Sequence, residues 1–495
     1  MTSSYAAITV NPQSVKSGTL TTLAALGSYD KFIVCDAQKA SFPVQTFSRH
    51  TNFAIGFQLA AIANAPLGSG FWERGRELTF SFDKTERSAD LIGPTFLHCQ
   101  WGRLAATVDP STNQIAYVNE LGNAVVSSAR FSVGGVPIEE VTGEALHCMN
   151  ELGVRGPGLD ESMMLGKAQI TQTTAAVPQS IPITMRVWST ANRHTYTPLN
   201  FHFCHRREEY FPLVAVQYQA PEILLRLRGK VDLIRAVNTV PDPNEIVPDA
   251  TIVSRFASGE YVGGELLAMD IGYSGVYLDS EERRARANKP YSYVFQYVHC
   301  KENFRVQKNQ RVLEQKVSFE NATSSYWWFY RRDSIDRVTA TGGPIKDYFD
   351  FSTRQPYGSI PLTVGGVDDI YVPLNPFAGT RILVNNNVRV AADGLFFNQV
   401  NPYIALANRL PREPSFINSF NFGMDAAQWN YDNGSQNDSK IDNLVFEFTF
   451  ENSDAVGGVA TNNGLDEAGT VFVYANKFSV AKISGGQYGL LYSTI

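Results

Sequence analysis

Histidine and cysteine neighbours are the residues of this chain whose types could do chemistry. The densest group is His202-Phe203-Cys204-His205, since imidazole and thiolate are the usual zinc ligands. On a strand His202 and Cys204 would share a face and His205 would point away. Zinc needs four ligands in a tetrahedron, and no second pair lies nearby in sequence. His98-Cys99, His147-Cys148 and His299-Cys300 are three further neighbours. A Cys–His nucleophile pair is brought together by the fold, so adjacency in sequence carries little weight. The run Tyr326–Tyr330 (YWWFY) beside Arg331-Arg332 could be a stacking platform for bases or sugars. It reads more simply as a strand buried on one or both faces. Glu139-Glu140 and Glu281-Glu282 fall in expected first turns of helices, where the macrodipole already accounts for them. There is no GxSxG elbow, P-loop, HExxH or GxGxxG following a strand. The expectation is therefore no catalytic, cofactor-binding or metal-binding residue, no cofactor, and no enzyme.

Composition points the same way. The chain has 495 residues with 42 basic and 48 acidic side chains, a net charge of −6. That balance argues against a bulk nucleic-acid binder, which would carry a basic patch or high pI. The doublets Arg283-Arg284 and Arg331-Arg332 read as solvated surface. Aromatic residues make up 12% of the chain, with 38 Gly and 24 Pro, a composition of short strands and many loops. Five cysteines without a CxxC support neither a zinc ribbon nor a disulfide framework. The N-terminus lacks the basic and apolar regions of a secretory signal, so the sequons at Asn321, Asn433 and Asn437 read as chance matches.

The elements that would position these residues are mostly strands. Period-two runs occur at Leu78–Phe82, at Thr95–Trp101 after a Gly-Pro break, and at Ser128–Val133 and Val136–Glu139 about Gly134-Gly135. A Gly-Gly pair between such runs signals a hairpin, because both central residues of a type I′ turn need φ > 0. Glu139–Leu152 spaces Val141, Ala145, Met149 and Leu152 as a helix does. Ile181–Trp188, Leu199–Phe203, Phe211–Tyr218 and Glu222–Leu227 are expected strands. Gly229–Glu265 loses periodicity and reads as a connection between two halves. In the second half Leu266–Leu278, Tyr291–His299, Tyr326–Tyr330, Leu444–Phe450 and Thr470–Ile483 are expected strands. Ser280–Ala287 is a short helix with Ser280 as N-cap. Arg381–Val390 is a hairpin about an Asn-rich turn that echoes the Gly-Gly hairpin, as an internal duplication would leave behind. Asn430–Asn443, in which ten of fourteen residues are Asn, Asp, Ser or Gly, is a loop built for shape rather than chemistry. The fold class is all-β: two tandem eight-stranded antiparallel sandwiches with a few short helices in loops.

Several segments, taken in order, resemble the major capsid proteins of nucleocytoplasmic large DNA viruses. They are FPVQTFSRHTNFA (Phe42–Ala54), SARFSVGGVPIEEVTGEALHCMNEL (Ser128–Leu152), PLNFHFCHRREEYFPLVAVQYQAPEILLRL (Pro198–Leu227), VYLDSEERRARA (Val276–Ala287), FFNQVNPY (Phe396–Tyr403), the Ile417–Leu444 segment and KFSVAKISGGQYGLLYS (Lys477–Ser493). The resemblance implies a double jelly roll: a flexible arm at 1–25, a first roll at 26–228, a connection at 229–265 and a second roll at 266–495. It implies a homotrimeric, pseudo-hexagonal capsomer tiling an icosahedral capsid, with Asp333–Gly366 as an outer or intratrimer loop. Its partners would be itself, neighbouring capsomers, minor capsid and penton proteins, and an internal membrane reached by the arm, with no direct nucleic acid. Its place would be the virion, after assembly in the host cytoplasm. The alternative is a carbohydrate-binding or glycan-acting β-sandwich, with Trp327, Trp328 and Trp429 as its platform. A penton or minor capsid role is a weaker third reading, and two tandem rolls argue against the penton.

Overall fold

The structure is a computed structural model. It describes residues 53–492 except 63–64, 66, 69–74, 83–88, 111–112, 153–163, 168–182, 239–244, 337–343, 354–374, 406–415, 424–433, 451–454, 457–458, 461–464 and 466. The arm expected at 1–25 and most of Phe42–Ala54 lie outside the described residues.

Among the described residues, three four-stranded antiparallel sheets and a six-stranded one built on a path of four strands organise the chain, beside smaller sheets. The first half supplies β1 (Phe53–Ala61), β2 (Glu77–Ser81), β3 (Leu91–Trp101), β4 (Val126–Val133), β5 (Val136–Thr142), β6 (Arg193–Pro198), β7 (Pro221–Leu227) and β8 (Leu266–Leu278). They pair in the orders β1-β8-β3-β6 and β2-β7-β4-β5. The second half supplies β9 (Tyr291–Val306), β10 (Val312–Val317), β11 (Ala322–Arg332), β12 (Phe377–Val384), β13 (Asn387–Asp393), β14 (Asn418–Asn421), β15 (Leu444–Phe450) and β16 (Gly469–Ser484). They pair as β9-β16-β11-β14 and β10-β15-β12-β13, the first pattern repeated eight strands later. Two facing four-stranded sheets with these Greek-key crossings are a jelly roll, so the chain is a double jelly roll.

The β4–β5 and β12–β13 hairpins occupy the same place in the two rolls. Gly134 and Gly135 turn the first at φ 60° and 81°, and Asn385 and Asn386 turn the second at φ 48° and 66°. Both turns need left-handed backbone, which glycine and asparagine tolerate best.

Tertiary context overrides several sequence expectations. Ile181–Trp188 is not a strand: Ile183–Ser189 is helix α2, and Met185 and Ser189, one turn apart, are buried. Leu199–Phe203 leaves the sheet after Pro198. Asn200 takes φ 47° and His202–Cys204 is a 3-10 turn, although Leu199, Phe201 and Phe203 are fully buried. Phe211–Tyr218 contains a 3-10 turn at Leu213–Ala215 and forms no named strand, bonding to β3 in the isolated Ile92–Phe211 bridge. Glu139–Thr142 belongs to β5, so helix α1 begins at Gly143 and ends at Leu152. The Gly93-Pro94 break lies within β3.

Gly229–Glu265 is structured. Ile234–Asn238 pairs with Asn113–Tyr117, and helix α3 (Asp249–Ser258) runs between Pro248 and a left-handed Gly259. Leu266–Leu278, expected to open the second half, is β8 and sits between β1 and β3 in the first roll. Helix α4 (Ser280–Asn288) follows, with Asp279 rather than Ser280 at its N-cap and no side-chain cap bond.

One apolar core crosses from roll to roll. It fills the first sandwich and takes in Phe295, Tyr297, Ala481, Ile483 and Tyr488 of the second half. A second cluster fills the second sandwich. A third lies between α1 and the outer face of β9-β16-β11-β14, where Ala145, Cys148 and Met149 meet Val298, Trp327, Phe329 and Tyr474.

Candidate functional site

The histidine–cysteine neighbours resolve into structural pairs. His202 is fully buried; Glu139 Oε2 accepts its backbone N–H at 2.8 Å and lies 3.2 Å from its Nδ1. The ring packs 4.3 Å from that of Phe295 in the other roll. Cys204 is buried nearby, on a 3-10 turn rather than a strand, so the shared face expected for His202 and Cys204 is not formed. His98 Nδ1 lies 3.0 Å from Asp270 Oδ2, and its Nε2 lies 3.0 Å from His194 Nδ1. Cys99 beside it belongs to the first-roll core, where burial, then the Asp270 charge, pushes its thiol far above the ordinary value. Cys148 is shifted the same way by burial and then by Glu144, so both thiols are held as unreactive S–H groups. Cys300 Sγ donates to Asn303 Oδ1 at 3.5 Å, and His299 lies edge-on to Phe319. Among the described residues no group of three or more His, Cys, Asp or Glu is placed to hold a metal ion.

Neither carboxylate of Glu139-Glu140 is in a helix. Both lie in β5, Glu139 facing in to His202 and Glu140 facing out, where it accepts from Arg130 at 2.8 Å. Glu281 and Glu282 do stand in the first turn of α4.

The aromatic run is no exposed platform. Tyr326, Trp328 and Tyr330 point into the second-roll core, while Trp327 and Phe329 point out under α1 and its surroundings. Trp327 stacks on Tyr474 at 4.1 Å, and Phe329 on Phe351 at 4.0 Å. With Trp327 and Trp328 at 3% and 0% exposure, the sugar platform loses two of its three members, and Trp429 lies outside the described residues.

Around α1 the two rolls share charge as well as apolar surface. Glu144, in its first turn, accepts from Arg228 of the first roll at 2.5 Å and from Arg331 of the second. Burial raises a carboxyl's pKa, but the two guanidiniums outweigh it and hold Glu144 below the ordinary range. Arg331 also reaches Asp336, and Arg332, 3% exposed, donates to Asp350 at 2.6 Å. The doublet read as solvated surface is thus a buried clamp, whereas Arg283 pairs with Asp90 from the exposed helix α4. The described part of Asp333–Gly366 packs against the first half of the chain. Lys346 Nζ donates to the carbonyls of Val231 and Ile234 at 2.7 and 2.9 Å, and Tyr348 Oη to that of Asp232 at 2.9 Å, all in the first half.

His147, on the other side of α1, lies 2.9 Å from Glu120 Oε2, both buried. Burial disfavours the imidazolium, but the carboxylate prevails and raises the His147 pKa. Burial likewise opposes the Glu120 charge, yet His147, Lys167 and Asn123 hold that carboxyl below its usual range.

The described part of Asn430–Asn443 ties off one end of the second roll. Asp438, buried, accepts from Tyr326 Oη at 2.7 Å and Gln436 Nε2 at 3.0 Å, and Asn443 Nδ2 donates to Asn386 in the β12–β13 turn at 2.9 Å.

These contacts hold a shape, and the surface carries what is left to interact. β1 directs Phe53, Ile55, Phe57 and Leu59 outward, 50–60% exposed, while Gln58 turns inward to Tyr273 and Tyr277. Sequence reading missed this strand, although large side chains at every second position are a period-two signal.

Two rolls of one strand order, fused through a common core, place the chain among the double jelly-roll capsid proteins. The fold matches the quasi-atomic model of the PBCV-1 virus capsid, with a TM-score of 0.65 at 16% identity over 92% of this chain and 100% of that one. It also matches the Faustovirus major capsid protein, with a TM-score of 0.62 at 11% identity over 90% and 94% of the two chains. In sequence it is 22% identical to the major capsid protein of Phaeocystis pouchetii virus over 96% of this chain and 99% of that protein. It is 20% identical to probable capsid protein 4 of Acanthamoeba polyphaga mimivirus over 88% and 93%. The family model for the large eukaryotic DNA virus major capsid protein matches residues 282–489, and that for the major capsid protein N-terminus matches residues 41–255. The chain belongs to the major capsid protein family of large eukaryotic DNA viruses, a family of structural proteins.

Proposed function

We propose that three copies of this chain close into a pseudo-hexagonal capsomer, and that such capsomers tile the icosahedral shell of a large DNA virus. The observation that carries this reading is the repetition of one strand order in two rolls joined by a shared core. A closed threefold ring of such chains presents six similar sandwiches, the symmetry a hexagonal net requires. The rolls divide at α4, with the first reaching Leu278 and the second starting at Tyr291. The arm at 1–25 reaches below the shell, toward minor capsid proteins or an internal membrane, and penton proteins close the vertices. The chain is a shell component of the virion, assembled in the host cytoplasm, without catalysis and without direct contact to nucleic acid. Its net charge of −6 fits a surface that does not face the genome.

Mass measurement of the purified full chain in solution, with negative-stain images of the same sample, tests this. A mass of three chains and images of hexagonal outline are expected. A chain that stays monomeric at micromolar concentration sinks the proposal.

A further inference from the structure

The two rolls use the same helix in different ways, and the difference points to where copies meet. In the first roll α1 follows β5 and lies on the outer face of the second-roll sheet β9-β16-β11-β14. Its contact residues are Ala145, Cys148, Met149 and Leu152, spaced as one helix face.

The second roll has the corresponding helix after β13, running from Gly394 through the π-turn Phe396–Val400 and Asn401–Ala405. Glycines fix the register between the two. A Cβ on Gly143 would stand 2.5 Å from the carbonyl oxygen of Val126, the first residue of β4. A Cβ on Gly394 would collide with the carbonyl oxygen of Phe377, the first residue of β12. Counting on from these glycines, the docking face of α1 corresponds to Phe396, Gln399, Val400 and Tyr403. Val400 and Tyr403 are 41% and 46% exposed, and the neighbouring Leu395 and Ile404 are 59% and 65% exposed.

The sheet that corresponds to the covered one is β1-β8-β3-β6 of the first roll. Its outer face is the one on which β1 places Ile55, Phe57 and Leu59, with Tyr196 of β6 37% exposed. Gly272 of β8 leaves room for the Phe57 ring, since a Cβ there would stand 2.6 Å from its Cζ. Large apolar side chains outward and Gln58 inward reverse the pattern of a strand that faces only its own core.

Taking the trimer reading as its basis, we infer that the Gly394–Ala405 helix of one copy docks on the outer face of β1-β8-β3-β6 of the next copy. The contact between copies then reproduces the one α1 makes within the chain. Such an interface is heterologous, helix on one side and sheet on the other, which is what a ring requires and a twofold dimer does not. One chain provides both halves, and six quasi-equivalent contacts, three within chains and three between them, close the ring.

The test places the photo-crosslinker p-benzoylphenylalanine at position 403 of the full chain and mixes isotope-labelled with unlabelled protein. Peptide mapping is expected to show cross-links between copies landing in residues 53–61, 91–101 or 266–278. Val400→Asp should in addition shift the mass from three chains to one without changing the circular dichroism spectrum. Cross-links between copies confined to other segments, in a sample with the mass of a trimer, overturn the inference and leave the capsomer reading standing. A trimer that survives Val400→Asp unchanged does the same. A wild-type chain that never associates overturns the capsomer reading itself, and the docking inference with it.

Discussion

The outer faces of β1-β8-β3-β6 and β9-β16-β11-β14 hold the same position in two rolls of one strand order, yet their fates differ. The second is covered within the chain by α1 and by Phe351, Phe416 and Ile417. The first carries four large apolar residues of β1 at 50–60% exposure. Each strand's sequence reports how many of its faces are covered. β11, closed on both sides, is unbroken aromatic from Tyr326 to Tyr330. β1 alternates, with its large residues on the side away from its own core. A strand that looks inverted for a single chain is consistent for an assembly.

The sharpest way to break the comparison is to remove weight from each face in turn. Trp328→Ala empties the second-roll core behind the covered face and should cost about 3–5 kcal/mol, read as a lower denaturation midpoint. Glu144→Ala leaves Arg228 and Arg331 buried without their shared carboxylate. A loss of about 3 kcal/mol is expected, with a broadened transition as the rolls uncouple. If Glu144→Ala unfolds like the wild type, the clamp is not what joins the rolls.

Gly143→Ala and Gly394→Ala test the register directly. Each should destabilise by roughly 1–3 kcal/mol, because each new Cβ meets backbone that cannot swing away. A cost at one glycine and none at the other would break the correspondence between the two helices.

The His147–Glu120 pair gives a pH signature to the covered side. Glu120 is held below its ordinary 4.5, so its contribution is present above that value and fades as pH falls through the lowered pKa. His147 is raised above 6.5, so its contribution is full below that value and is lost as pH rises through the raised pKa. The melting temperature should therefore be highest between those limits, and Glu120→Gln should flatten the profile on both sides. A wild-type profile with no maximum there counts against an ionised pair. The smallest effect belongs to the open face: Phe57→Ala should change the stability of the dissociated chain by roughly 0.5 kcal/mol or less. A larger loss would mean that the face is already covered within the chain.

Much of the architecture was legible because the relevant signals are local. Gly134-Gly135 and Asn385-Asn386 declare their turns, and alternation marks β2, β4, β7 and β15. What sequence could not show is set by distance. Leu199–Phe203 alternates like a strand, but Pro198 and the left-handed Asn200 turn it into the core between the rolls. Arg331-Arg332 resembles surface because its partners Glu144 and Asp350 lie elsewhere in the chain. β8 reads as part of the second half because its neighbours β1 and β3 precede it by more than a hundred and fifty residues. The surfaces inferred to meet between copies were hidden for a further reason. The exposed face of Gly394–Ala405 becomes informative only beside its buried counterpart α1.

The core that runs from roll to roll has a consequence for the thermodynamics of shell building. Two separate rolls would each surrender translational and rotational freedom on meeting, an expense of several kcal/mol per event. Here that contact forms during folding, as an intramolecular step at high effective concentration. In the capsomer we propose, a ring of six rolls would gather only three independent bodies. The association between copies in that proposed assembly would then rest on weak, reversible contacts, letting misplaced units leave a growing lattice before they are trapped.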